Sequence, residues 1–244
     1  MQELAKVGYT QSYTYFTWRN TKHELTEYLT ELTQGPMKEY FRANFFANTP
    51  DILPEYLQQG GRPAFLIRAA LAALTMPVYG IYSGFELCEN APVPGKEEYI
   101  DSEKYQFKGR DWNAPGNIKD YVTRLNKIRS ENRALREYAN LRTHTAENDQ
   151  ILCFSKTTTS LDEALLVAVT VDPRNTQTAF VHVPLAEFGL TADEVYHVED
   201  LITGERYAWQ GSRNFISLDP HSRPAHVFRI RRSVARVGGE DIFA

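Results

Sequence analysis

Apolar positions change their spacing along this chain, and the change divides it. In the first part, short aromatic or β-branched runs alternate with longer amphipathic stretches. Ser12 to Trp18 (SYTYFTW) predicts a strand and Lys22 to Thr33 a helix. Tyr40 to Ala47 predicts the next strand. Pro63 to Leu74 (PAFLIRAALAAL) then predicts a strongly apolar helix, with Gly60-Gly61 before it and Pro63 suited to its first turn. Val78 to Tyr82 predicts a third strand, bounded by Pro77 and Ser83-Gly84. Strand, helix, strand, helix, strand at this spacing argues for a parallel α/β unit.

From Glu86 to Asn117 no periodicity is sustained, and loops of that length are usually functional or disordered. The aromatics Tyr99, Tyr105, Phe107 and Trp112, with Phe85 leading in, favour an ordered loop folded over a site. Ile118 to Tyr138 predicts a helix, with Tyr121, Leu125, Ile128 and Leu135 on one stripe and its basic residues on a solvated face. After about Asn140 the pattern turns to short β-like runs: Ile151–Lys156, Ala164–Val171, Thr178–Val183, Tyr196–Asp200, Arg206–Trp209 and His226–Arg231. Turn residues separate them, as in an antiparallel β-sandwich. The expected units are 1–139 for the α/β part, 140–233 for the sandwich and 234–244 for a loose tail.

Composition narrows the function classes. The chain has 244 residues, 42% hydrophobic and 12% aromatic, enough to bury a core. A formal charge of −4 gives no basic excess for nucleic acid or an anionic membrane, while a neutral or small anionic ligand stays open. Cys88 and Cys153 lie far apart without metal-ligand spacing, so neither a disulfide framework nor a zinc site is expected, and a reducing cytoplasm fits best. The segment MQELAKVGYTQS lacks a basic region followed by an apolar one, and no run reaches membrane-spanning length. A soluble, unexported chain is the expectation.

Candidate chemistry concentrates in Tyr40 to Pro54, YFRANFFANTPDILP, where an apolar run breaks at Asn48-Thr49-Pro50 and leaves Asp51 at its end. Strand ends carry reacting groups in parallel sheets and barrels, because the strands fix them while the loops vary. Two readings stand from these residues alone: Asp51 as a reacting carboxylate, or Asp51 as a turn or cap residue satisfied by backbone N–H groups.

The order of segments adds a resemblance. ANTPD resembles the seventh-strand motif of the α-amylase superfamily, and MPVYGIYSGFE (Met76 to Glu86) resembles its eighth-strand motif. More narrowly, QSYTYFTWRNTKHEL (Gln11 to Leu25), ANTPDILPEYLQQGGRPAF (Ala47 to Phe65) and EKYQFKGRDW (Glu103 to Trp112) resemble the maltosyltransferases that extend α-1,4-glucans from maltose 1-phosphate. Most of the superfamily has His immediately before the strand-seven Asp. Here Pro50 stands there, as in the maltosyltransferases.

The resemblance implies the C-terminal portion of a (β/α)8 TIM barrel, about strands six to eight with their helices, followed by the antiparallel sandwich. It implies retaining transfer of maltosyl units from α-maltose 1-phosphate to the nonreducing end of α-1,4-glucans in glycogen or α-glucan biosynthesis. No metal or organic cofactor takes part in the chemical step, and the intact family enzyme is a homodimer. Asp51 would stabilise the transition state. Lys104 and Tyr105 would contact the donor sugar, against a plainer reading as a solvated Lys and a loop-packing Tyr. Glu86 would support the rim, and a catalytic role for it or for Glu89 is disfavoured; His23 would face solvent. Arg19 and Arg62 are candidates for the donor phosphate, though ion pairs within the wall explain them more cheaply. The family's nucleophilic Asp and acid/base Glu, at the ends of strands four and five, have no counterpart, so the chain alone is expected to be inactive and prone to associate through exposed strand edges. The alternatives are a noncatalytic glucan-binding or scaffold protein and a fragment of an α-amylase-superfamily hydrolase.

Overall fold

The computed structural model describes residues 1–102 and 107–231. Lys104 and Tyr105, together with the tail 234–244, lie outside the described residues.

In the first unit β1 (Ser12–Tyr13), β2 (Ala43–Phe46) and β3 (Val78–Gly80) form a parallel sheet in the order β1-β2-β3. The helices are α1 (Gln2–Lys6), α2 (Lys22–Thr33), α3 (Glu55–Thr75) and α4 (Lys119–Glu131). Helix α2 has the bounds its sequence predicts. Thr21 accepts from the backbone N–H of Glu24 while the Glu24 carboxylate reaches back to Thr21, a capping box, and Leu25, Leu29 and Leu32 form the buried stripe.

Elsewhere the elements depart from the sequence pattern for local reasons. Strand β1 stops at Tyr13 because Tyr15–Trp18 close into a 3-10 turn. Helix α3 starts at Glu55, well before Pro63. Gly61 sits at φ 57° and kinks the helix, so Pro63 enters a fresh first turn where its missing N–H costs little. Helix α4 ends at Glu131, since Asn132 turns to φ −126° and ψ 107° and its side chain donates to the carbonyl of Ile128 at 2.7 Å. A 3-10 turn, Arg133–Arg136, leads from there toward the second unit.

That unit holds β4 (Leu141–His144), β5 (Ile151–Thr157), β6 (Ala164–Thr170), β7 (Gln177–His182), β8 (Val195–Asp200), β9 (Arg206–Gln210), β10 (Arg213–Leu218) and β11 (Ala225–Arg231). Six strands make an antiparallel sheet in the order β4-β5-β6-β11-β8-β9, and β10 pairs with β7. The large sheet is covered on both faces. Leu152, Phe154, Leu165, Val167 and Val169 join the core that holds α2 and α3. Ile151, Cys153, Leu166 and Ala168 alternate with them and pack with Val181 of β7 and Ile216 of β10. Two-sided burial explains why β5 and β6 read as unbroken apolar runs.

Polar ties lock the units together. Lys22 Nζ donates to the carbonyls of Ala146 and Asn148 at 2.8 and 2.9 Å, and the Tyr56 hydroxyl donates to that of Val171 at 2.9 Å. Lys156, on β5 and wholly buried, donates to the carbonyls of Thr75 at the end of α3 (3.2 Å) and Glu137 (2.8 Å). Among the described residues no helix is long and apolar enough to cross a membrane.

Candidate active site

Asp51 lies just beyond the C-terminal end of β2. Thr49 and Ile52 exchange backbone hydrogen bonds of 3.0 and 3.1 Å, leaving Pro50 and Asp51 as the tip of a two-residue turn with Asp51 exposed. The turn-residue reading of Asp51 therefore describes its backbone, and the same turn presents its carboxylate at the strand-end rim.

The base of the turn is fixed by Asn48, which is fully buried. Its Nδ2 donates to the Tyr99 hydroxyl at 2.7 Å, and its Oδ1 accepts the backbone N–H of Tyr82 at 2.8 Å. Ala47 N–H donates to Gly80 O at 3.0 Å. The end of β2 is thus tied to the segment after β3 and to the long loop. Burial pushes the Tyr99 phenol up, so it stays protonated, and its ring meets Tyr82 edge-on at 5.5 Å. Glu97 laces the rim on the other side. Its carbonyl accepts Leu53 N–H at 2.7 Å, and its carboxylate accepts from Trp18 Nε1 at 2.7 Å and from Glu55 N–H at 3.3 Å. The long loop is therefore anchored at Glu97 and Tyr99, although Phe107 further along is 93% exposed.

Past β3, Gly84 at φ 93° brings the backbone under Glu89. Glu89 pairs with Lys108 at 3.0 Å and with Arg110 at 3.1 Å, and the Arg110 guanidinium lies 5.8 Å from the Tyr82 ring centroid. A carboxylate held between two cations acts as a brace for this segment. Glu86 accepts Ile118 N–H through its carbonyl at 2.7 Å and keeps Oε2 buried without a hydrogen-bond partner among the described residues.

The two arginines considered for phosphate make other contacts within the chain. Arg62 donates to the carbonyls of Gly116 and His221 at 3.0 and 3.2 Å, carbonyl contacts where ion pairs were expected. Arg19 stacks on Tyr28 at 5.6 Å. His23 is exposed, as its sequence position implies. Among the described residues no group of His, Cys, Asp and Glu is arranged to hold a metal ion.

Asn48, Trp18 and Glu97 belong to the framework of the rim without having stood out in the sequence, whereas Tyr99 is one of the loop aromatics expected to fold over a site. Asn48 did carry a signal, a polar residue closing an apolar strand. Glu97 looked like any charge in a charged loop.

The family model described as GLGE, C-terminal, matches residues 143–230. The α-1,4-glucan:maltose-1-phosphate maltosyltransferase of Rhodospirillum rubrum is 55% identical over 230 residues, which cover 94% of this chain and 33% of that protein. The protein of the same name from Pseudomonas aeruginosa is 52% identical, covering 95% of this chain and 35% of that one. Maltosyltransferase 1 of Streptomyces coelicolor is 52% identical over 245 residues, with 98% and 36% covered. The chain spans about a third of the length of these relatives. Among solved structures, the α-amylase of Geobacillus thermoleovorans complexed with acarbose aligns with a TM-score of 0.66 at 13% identity, over 95% of this chain and 50% of that one. An Anoxybacillus α-amylase aligns at 0.63 with 14% identity, over 96% and 50%. The fold is shared with α-amylases. Along nearly its whole length, half or more of the chain's residues are identical to those of proteins named α-1,4-glucan:maltose-1-phosphate maltosyltransferase.

Proposed function

We propose that this chain supplies part of a retaining glycosyltransferase that moves maltosyl units from α-maltose 1-phosphate to the nonreducing end of α-1,4-glucans, in glycogen or α-glucan biosynthesis. In this reading β1, β2 and β3 are strands six to eight of a (β/α)8 barrel within 1–139, followed by the sandwich at 140–233 and the tail at 234–244. The enzyme is a cytoplasmic homodimer and needs no metal or organic cofactor.

The observation that carries the reading is Asp51 itself, an exposed carboxylate on a braced turn at the C-terminal end of a parallel strand. As the reacting glucosyl ring flattens toward an oxocarbenium ion, a fixed carboxylate gripping its hydroxyls gains strength without reorganising. Lys104 and Tyr105 hold the donor sugar, Lys through its three donors and Tyr through a flat face with one polar tip. Retention needs two further carboxyl groups about 5–5.5 Å apart, a nucleophile and an acid/base. They belong to other barrel strands, so these 244 residues alone turn over no donor.

The test joins this chain to the remaining two thirds of a relative such as the Rhodospirillum rubrum protein and screens donors. Phosphate release and glucan growth from α-maltose 1-phosphate, with none from sucrose and no net hydrolysis of maltotetraose, is the expected result. Hydrolysis as the dominant activity would reject the reading in favour of an amylase-like one.

A further inference from the structure

We infer that Arg68, on the buried part of α3, is a positioning residue for the reaction and acts on the Asp51 turn through Trp18 and Glu97. The catalytic part of this inference rests on the proposed function above. Arg68 is the single charged residue in the run Pro63 to Thr75, and it is only 1% exposed. Its Nη1 donates to the carbonyl of Arg19 at 2.6 Å and lies 3.4 Å from Asn20 Oδ1, while its Nη2 donates to the carbonyl of Phe16 at 2.6 Å. The guanidinium lies over the Phe16 ring at 3.8 Å, and that ring stacks on Phe45 of β2 at 4.3 Å.

Burial lowers the pKa of Arg68 to about 10, which still leaves it charged at neutral pH. Among the described residues its hydrogen-bond partners are neutral, and its buried Nε has none. A buried cation without a counter-ion costs stability, and an apolar side chain of like volume would escape that cost. What the guanidinium offers instead is its planar fork, with one terminal nitrogen fixed on each carbonyl, a grip that a Lys ammonium does not reproduce.

The two gripped carbonyls bracket Thr17 and Trp18, the end of the 3-10 turn Tyr15–Trp18. Both of those side chains carry the grip onward. Thr17 Oγ1 donates to the carbonyl of Phe46, the last residue of β2, at 3.4 Å. Trp18 Nε1 donates to Glu97 Oε2 at 2.7 Å, and Glu97 in turn holds the N–H groups of Leu53 and Glu55, which follow the Asp51 turn. Helix α3 closes the circuit, since it starts at Glu55 and carries Arg68 beyond the kink at Gly61. The segments after β1 and β2 and the long loop are thereby referred to one helix. Being buried, the guanidinium reaches no substrate; its effect on rate runs through the aim of Asp51, where a displacement of about 1 Å can cost on the order of 10²-fold.

The test has two arms. In the 244-residue chain, hydrogen exchange is followed by NMR. Arg68→Lys should speed exchange of the Leu53 amide at least tenfold, as should Trp18→Phe at its exposed position, with the β5 and β6 amides staying within twofold. In the longer enzyme each single variant should lower kcat at least tenfold with KM for α-maltose 1-phosphate within threefold, and the double variant should fall within threefold of the worse single one, because both break the same route. A Leu53 amide unchanged in Arg68→Lys, exchange that rises equally in β5 and β6, or losses that multiply in the double variant would each overturn the proposal. If Arg68→Lys gives no folded spectrum, Trp18→Phe decides alone, and unchanged Leu53 exchange or full kcat in that variant overturns it. The proposed function is read separately, from the donor preference of the unsubstituted longer enzyme, and survives all of these results.

Discussion

Lys156→Met gives a test of how the two units are joined. Lys156 is wholly buried on β5, and its Nζ donates to the carbonyls of Thr75 and Glu137 at 3.2 and 2.8 Å, with that of Leu135 at the limit of range, 3.5 Å. Burial pushes its pKa down from 10.5 to about 7, helped by the nearby Arg129 charge and opposed by Glu137. A neutral amine has two hydrogens, enough for the two nearer carbonyls, so the deprotonated form still serves the junction. Between about pH 7 and 10.5 the unfolded chain therefore binds a proton that the folded chain does not. Stability rises with pH across this window, is fully present above 10.5, and is lost as the pH falls through about 7. Each pH unit is worth about 1.4 kcal/mol, so from pH 7 to 9.5 the wild type should gain about 3 kcal/mol relative to Lys156→Met, in which this group cannot titrate. Urea unfolding of both proteins at a series of pH values measures the difference, and every other titrating group cancels. A difference between the two that stays flat with pH would refute the reasoning and mean that the buried ammonium keeps its proton.

Three other perturbations follow from the geometry. Gly84→Ala would put a Cβ 2.4 Å from Glu89 Oε2 and 2.9 Å from Arg110 Nε at a φ of 93°, so the melting temperature should drop by an amount corresponding to roughly 1–3 kcal/mol. Asn48→Leu removes the bonds to Tyr99 and Tyr82 and leaves both groups unmet, and in the longer enzyme it should lower kcat severalfold or more by loosening the Asp51 turn while KM for the glucan changes less. Asp200 is buried against His226 at 2.9 Å. Burial pushes its carboxyl up, but hydrogen bonds from His226, Ile202 and Val227 and the His226 charge hold it below the usual range. Its stabilising contribution is present above the ordinary carboxylate pKa and lost as the pH falls through the depressed value. Asp200→Asn should therefore lose about 3–5 kcal/mol at neutral pH and unfold in acid with a shallower pH dependence, as circular dichroism would record.

Elements with a strong one-dimensional signal were legible in the sequence. Lys22–Thr33 shows a capping box and a leucine stripe, and β5 and β6 are apolar throughout because both their faces are covered. Strands β4 and β10 escaped because Arg142, Arg213 and Phe215 face solvent and obscure the alternation. Gly60-Gly61 and Pro63 suggested a helix start at Pro63, whereas the φ of Gly61 lets α3 begin at Glu55 and only kink. At the rim, Asp51 was visible since it ends an apolar strand. The network holding it was not, because Glu97 and Tyr99 reach the turn from a loop whose path no local pattern encodes.

The most direct test of the central claim is the kinetics of Asp51→Asn in the longer enzyme, with α-maltose 1-phosphate as donor and maltohexaose as acceptor. A carboxylate that acts mainly on the oxocarbenium-like transition state should, when neutralised, lower kcat by about 10²–10³ with KM for the donor changed far less. A variant with full kcat, or one whose only defect is a raised KM, would contradict the assignment of Asp51 as the stabilising carboxylate.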